Sequence, residues 1–499
     1  MALIPLDIPA GFYRNGTDYE QSNRWRDGSL VRWRDNSLRP IGGWQERKTS
    51  FSTNPVRGMH TWEAQNGNAW LAGGSHSELV VMTGSGTLAD ITPTDLATGR
   101  ESAVINSGYG GGTYGYGLYG QPIQGNEESV PQEATTWALD NWNTDLGDLL
   151  FAVHYDDGRL LEWDLVASNA TAVSGAPTDN LSMFVTEERF VFCLGAGGDP
   201  RKVQWSDRED PYTWNPVNEN EAGYIKLQTS GQIMQGVRTK GQSLILTDTD
   251  AHTARYLGPP YVYGFERVGT SCGAISRKSA ADTSAGVFWM GQRGFFAFDG
   301  NSVQELPCQV HDYVFDDFNT VQQSKVWAFT NGQFGEVWWF YCSSDSTEID
   351  RYVAYDYKEG HWLIGNLART SGVARGVFRY PFMAGHNADS DIYDHEVGYN
   401  YDGATRFAET GPISIGAGDQ IAKVTKVISD EKTQGDVNLT FKTRFHPNDT
   451  ERTYGPYDPA NPTSVRFSGR QFRMRVEGQE PTKWRVGTMR VDAVSGGRR

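Results

Sequence analysis

The chain is short of cysteine, of positive charge, of long apolar runs and of helical periodicity. Its four cysteines, Cys193, Cys272, Cys308 and Cys342, are dispersed among 499 residues with no C-x-x-C spacing. That argues against a zinc ribbon or a disulfide framework and reads as buried thiols in a protein made in a reducing cytosol. Lysine and arginine total 45 against 61 aspartates and glutamates, a net charge of −16. Phosphate recognition needs clustered cations, so the chain as a whole is not built to grip nucleic acid. No apolar run approaches the ~20 residues that cross a bilayer, so no membrane insertion is expected. The opening Met1-Ala-Leu-Ile-Pro-Leu-Asp-Ile-Pro9 lacks the basic-then-apolar order of a secretion signal.

What is abundant is glycine, 57 residues, and aromatics, 12%, a composition that favours a turn-rich, all-β chain. Val287-Phe-Trp-Met290, Gly291-Gln-Arg-Gly294, Phe295-Phe-Ala-Phe298 and Asp299-Gly300 alternate β-formers with Gly-bearing turns. Three antiparallel strands fit between Val287 and Leu306, most of a four-stranded propeller blade. Similar units start near Trp70, Leu149, Phe184 and Val326, at roughly the spacing of blades. Five hundred residues exceed one ordinary core. The expected architecture is therefore a β-propeller of six or seven blades over residues 58–400, with an arm at 1–57 and a β-sandwich-like platform at 401–499.

In the arm, Leu30 to Trp33, Asp35-Asn36 and Leu38 read as a hairpin packing on the platform or a neighbour, in preference to a base-stacking surface made by Arg24, Trp25 and Arg26. Gly108 to Gly120 is a tyrosine-glycine stretch too glycine-rich to fill a core, read as a surface or intersubunit loop. It lacks the lysine of a phosphate loop. The acids of His386 to Glu396 do not match a calcium loop and read as a solvated hairpin loop. The C-terminal region is rich in arginine, a docking surface or an outward strand face. No metal site, cofactor or catalytic residue can be named. Ser206 to Trp214 only faintly matches a sialidase turn, and no nucleophile–base–orienter set appears, so the chain is expected not to be an enzyme.

Several stretches, in order, resemble the tail hub or nozzle proteins of short-tailed bacteriophages, including those known as packaged-DNA stabilisation proteins. They are Arg24 to Trp44, Val56 to Trp62, Trp205-Ser-Asp with Trp214, Tyr256 to Tyr261, Phe288 to Gly291, Phe295 to Gly300, Glu336 to Tyr341 and Asp394-His-Glu396. The resemblance implies a structural virion protein, made in the host cytoplasm. It would form a homo-hexameric ring below the portal and adaptor, a head–tail connector that extends the DNA channel, retains packaged DNA until ejection and holds tail fibres or spikes. Double-stranded DNA would pass through without specific binding. Candidate interface residues are Arg24, Trp25, Arg26, Trp33, Trp44, Tyr109, Tyr114, Tyr116, Tyr119, Arg470, Arg473, Arg475, Arg485 and Arg490. The alternative is a carbohydrate-binding or carbohydrate-active propeller used in host adsorption. Ring against monomer separates the two.

Overall fold

The computed structural model describes residues 2–104, 132–144, 147–386, 390–414, 420–432, 435–447, 449–459 and 461–495. Seven four-stranded antiparallel sheets follow one another along the chain. Their first strands are Gly58–Glu63, Trp137–Thr144, Ser182–Val185, Ile233–Thr239, Ala280–Thr283, Trp327–Asn331 and Arg369–Val373. Each of these packs against the next, and the seventh packs against the first. The sheets therefore form a closed seven-bladed β-propeller. The expected hairpin rhythm is present: Gly286–Met290, Phe295–Phe298 and Val303–Leu306 are the outer three strands of blade 5.

Tryptophans hold neighbouring blades together. A buried indole N–H needs an acceptor, and these find one in the adjoining blade. Trp137 in blade 2 donates to Ser75 O at 2.5 Å, Trp339 in blade 6 to Ser279 O at 2.9 Å, and Trp327 in blade 6 to Arg369 O at 2.9 Å. Each ring thus fills the gap between blades and fixes their register.

The seventh blade takes its outer strand from the chain's start. Trp44–Lys48 pairs with Ile392–His395, so the ring is closed non-covalently by residues about 350 positions apart in sequence. The arm over 1–57 accordingly does not end where the propeller begins, and residues 44–48 are part of the propeller. The signal was weak because Trp44-Gln-Glu-Arg-Lys48 carries one apolar residue, as an outer strand does.

Two further sheets form the platform as a sandwich. One contains Ala2–Leu6, Met489–Ser495, Ala422–Ile428 and Thr463–Gly469; the other contains Trp25–Ser29, Phe407–Thr410, Ile413–Ser414, Gln471–Gly478, Val437–Arg444 and Arg452–Tyr457. Val437, Leu439 and Phe441 alternate inward, and Phe441 stacks on Phe467 of the opposite sheet at 4.9 Å. The arm supplies a strand to each sheet. Between them and the propeller lies its hairpin, Val31–Arg34 with Ser37–Pro40, turned by Asp35 and Asn36 at φ of 50° and 57°. One hydrophobic core runs from Val437, Phe467 and Trp484 through Phe12 and Trp33 to Trp339 and Trp362.

Trp44 is the test of closure. Its ring lies 5.5 Å from His395, its indole donates to Asp402 at 2.6 Å, and Arg369 sits over its face at 5.0 Å. Trp44→Ala should cost about 3–5 kcal/mol in denaturant unfolding of the full chain. A loss under about 0.5 kcal/mol, the range of a surface change, would show that closure does not depend on it.

Candidate docking and interface sites

The residues singled out by sequence divide into three groups. Trp25, Trp33 and Trp44 are buried, with Trp33 at 1% exposure. They are core, not a surface for a neighbour: Trp25 lies on a platform strand, Trp33 on the hairpin between platform and propeller, and Trp44 on the outer strand of blade 7. Trp33 touches Phe12 at 4.9 Å, Trp25 at 5.8 Å and His361 at 6.0 Å. Tyr109, Tyr114, Tyr116 and Tyr119 lie outside the described residues. The flanks of their segment are placed: Val104 and Gln132 exchange backbone hydrogen bonds of 3.0 and 3.1 Å. Beside them, Ala103 exchanges hydrogen bonds with the Gln322 side chain, and Ala134 N–H donates to Ser324 Oγ at 3.0 Å. The described flanks of the connection from blade 1 to blade 2 therefore reach the turn before blade 6.

The third group is the arginines, and most are spent internally. Asp18 accepts Arg26 at 3.2 Å and Arg444 at 2.8 Å, with Arg473 at 3.6 Å. Glu409 holds Lys442 at 2.8 Å and Arg475 at 3.8 Å, while Arg475 covers the Phe407 ring at 3.6 Å. Arg473 thus ties one platform sheet to the arm, and Arg475 ties neighbouring strands within that sheet. Arg24, Arg470 and Arg485 are half-buried. Arg490 alone of the named platform arginines is exposed.

Arg490 belongs to a surface that the sequence did not resolve. On the sheet formed by Ala2–Leu6, Met489–Ser495, Ala422–Ile428 and Thr463–Gly469, Val424, Val427, Val465, Phe467 and Val491 point inward. Lys423, Lys426, Ser464, Arg466, Ser468 and Arg490 point outward and are exposed. None of these four cations has an ion-pair partner among the described residues. Asp492, in register with Lys426, is buried and accepts from Thr425 Oγ1 at 3.2 Å. Leu3 and Val494 add apolar area at 48% and 42% exposure. Only strand alternation separates these cations from Arg473 and Arg475, and a count of arginines cannot supply it.

The segment 386–396 corrects another expectation. Asn387 to Asp389 lie outside the described residues, but Ile392–His395 is the third strand of blade 7, not a solvated loop. Asp394 pairs with Arg47 at 2.8 Å, Asp391 caps Ser50 N–H at 2.9 Å, and Glu396 pairs with Arg32 at 2.5 Å. These acids anchor the closing strand and the arm. His395, whose ring is held neutral by burial and by the nearby guanidinium, accepts from Arg369 Nε at 2.9 Å.

On the first strands of the blades, Asp140 of blade 2 pairs with Arg238 of blade 4 at 3.0 Å and caps Val185 N–H of blade 3 at 2.8 Å. His60 of blade 1 bonds Asn141 at 2.9 Å. A concavity of about 410 Å³ near blade 5 is lined by Asn15, Glu305, His311 and Asp312. Its His311 already meets Arg293 O at 3.0 Å, and Asp312 already accepts from Gly16 N–H at 3.0 Å. The four cysteines are free; burial pushes the thiols of Cys272, Cys308 and Cys342 up to about 11, 12 and 12.

A buried charge network lies at the seam. Arg32, 3% exposed at its side chain, meets Glu336 at 2.9 Å and Glu396 at 2.5 Å, with the Phe334 ring 3.7 Å from its guanidinium carbon. Trp338 Nε1 donates to Glu336 at 2.9 Å, and Gly42 N–H donates to Glu396 at 2.8 Å. Burial raises Glu336 to about 7, Arg32 opposes this, and Glu396 adds to it. The two carboxylates together keep Arg32 charged against the cost of its burial.

No family model and no curated protein matches the chain. Among solved structures it is similar to virginiamycin B lyase from Staphylococcus aureus, at 6% identity and a TM-score of 0.41 over 70% of this chain and 98% of that one. It is similar to the Cps50 (Swd1) β-propeller domain of Myceliophteria thermophila, at 10% identity and 0.38 over 71% and 99%. It is also similar to the Pan2 WD40 domain of Neurospora crassa, at 10% and 0.35 over 73% and 97%.

Glu336 generates a pH prediction. Its carboxyl takes up a proton more readily in the folded chain, at about 7, than at its ordinary 4.5. The resulting stabilisation is complete below the ordinary value and is lost as pH rises through about 7. Unfolding free energy should therefore carry a component that falls between about pH 5 and pH 8, and Glu336→Gln should flatten it. An identical pH profile in the variant would assign the slope elsewhere.

Proposed function

We propose that the chain is a structural virion protein of the tail hub or nozzle kind, assembling as a six-copy ring that prolongs the DNA channel and docks adaptor and fibre proteins. The observation that carries this reading is the outward platform face, with Lys423, Lys426, Arg466 and Arg490 exposed and without an ion-pair partner among the described residues, on a protein of net charge −16. Unpaired like charges on one sheet repel each other and stabilise nothing within the chain. An acidic protein that concentrates them beside exposed Leu3 and Val494 presents a surface complementary to an acidic partner or neighbouring copy. The ordered stretches that resemble hub proteins, running from the arm to blade 7, support the same reading.

On this reading DNA passes between copies. The bore on this reading belongs to the ring of copies and not to one propeller. An acidic or neutral lining lets the duplex slide, whereas each phosphate contact would add friction. The purified chain should then bind duplex DNA only weakly at physiological salt. It should also turn over no host polysaccharide, since no nucleophile–base–orienter set can be named in its sequence.

The test is charge reversal on the platform. Lys423→Glu, Arg466→Glu and Arg490→Glu together should leave the melting temperature of the chain unchanged and abolish ring formation, scored by electron microscopy of particles and of the purified protein with its adaptor. Normal rings from the triple variant would remove this face from assembly. Sustained glycan hydrolysis, lost on one carboxylate substitution, would favour the adsorption-propeller reading instead.

A further inference from the structure

A second feature of the seam has chemistry that the assembly role does not use. The turn joining Arg351–Asp356 to His361–Asn366 in blade 6 reads Asp356-Tyr-Lys-Glu359-Gly-His361. One ligand atom from each of Asp356, Glu359 and His361 lies within 4.8 Å of the others. Asp356 is fully buried, and its Oδ1 accepts from the Lys358 and Glu359 N–H groups at 2.9 Å each. That fixes the carboxylate and leaves Oδ2 turned toward a cation. His361 is 4% exposed, enclosed by Trp33 and by Gly11, where an added Cβ would lie 2.5 Å from His361 Cβ. Its Nε2 is buried with no hydrogen-bond partner among the described residues, a costly state for a ring nitrogen.

The position is already addressed by a cation. Arg34 Nη1 lies 3.1 Å from Asp356 Oδ2 and 3.5 Å from Glu359 Oε1. The guanidinium satisfies the carboxylates, but having only donors it cannot serve an imidazole nitrogen as a partner when that nitrogen carries a proton, and no such bond is made here. Arg34 also has a second address, Glu336 Oε1 at 3.8 Å. It can turn there without losing a carboxylate partner.

We propose that Asp356, Glu359 and His361 form a site for a divalent cation of the zinc class, with Arg34 as the resident competitor. Two carboxylates and a neutral imidazole make a borderline N/O donor set, suited to zinc or cobalt more than to magnesium or calcium. The donors must close to the roughly 2.0–2.2 Å of metal–ligand bonds. Glu359, the exposed member, supplies that movement, while Asp356 and His361 are held. On metal entry Arg34 swings to Glu336, so binding is coupled to the seam between arm and propeller. The site thus adds a metal-dependent lock at the joint between the two bodies.

The experiment titrates Co(II) into the chelator-treated full chain, following its visible absorption, and then competes with Zn(II). Saturable binding with a low-coordinate cobalt spectrum, reversed by zinc, is expected. Glu359→Gln should weaken it by at least about tenfold without changing the melting temperature in chelator, and Arg34→Gln should tighten it. Circular dichroism of each variant reports folding, and His361→Gln gives an independent loss of the nitrogen ligand. Failure of both the wild type and a folded Arg34→Gln to bind cobalt would overturn the site. So would an affinity indifferent to both Glu359→Gln and His361→Gln.

Discussion

The structure depends on a hairpin of ten residues wedged between two bodies. Val31–Pro40 sends Arg32 and Arg34 into the propeller and Trp33 into the core shared with the platform. Leu38 exchanges backbone hydrogen bonds with Val486 of the platform at 2.9 and 3.0 Å, and Leu30 N–H reaches Tyr352 OH of blade 6 at 3.0 Å. A guanidinium as buried as Arg32 is tolerated only where carboxylates surround it. Glu336 comes from blade 6 and Glu396 from the end of blade 7. The charge can be satisfied only when propeller, closing strand and arm are all in place. Hydrophobic burial drives their association; the ion network makes one arrangement of them the acceptable one.

This constraint organises the molecule's outer chemistry as well. Cations and acids that look available in the sequence are drawn inward: Arg473 to Asp18, Arg475 to Glu409, Arg47 to Asp394, Arg57 to Glu348. What is left facing out is informative because so much has been used. The platform's exposed cations have no ion-pair partner among the described residues, and the flanks of the blade 1 to blade 2 connection meet the turn before blade 6. On the proposed reading, a protein held this way would serve as a spacer with a fixed angle between its contact surfaces. That suits a component whose copies must meet in one geometry.

The blades were legible because antiparallel strands alternate with turns within twenty or thirty residues, and local order suffices to see them. Blade 6, with Glu336-Val-Trp-Trp-Phe-Tyr341 buried throughout, and blade 5 were plain. The first strands of blades 4 and 7 were not. Gly236 and Gly372 interrupt their β-formers because Phe184 and Trp327 side chains lie where a Cβ would be. The sharing of Trp44–Lys48 with blade 7 was invisible, since a non-local pair leaves no periodic trace in either partner. The same reason explains the arginines. Which of Arg466, Arg473, Arg475 and Arg490 faces a partner depends on the sheet each strand joins, and that pairing spans the arm and both ends of the platform.

If one buried hairpin welds the two bodies, they should unfold as one. Differential scanning calorimetry of the full chain, in chelator and near neutral pH, should show a single cooperative transition whose calorimetric and van't Hoff enthalpies agree. Two resolved transitions, one surviving removal of the Arg32 charge by Arg32→Met, would mean that propeller and platform fold independently and that the hairpin merely lies between them.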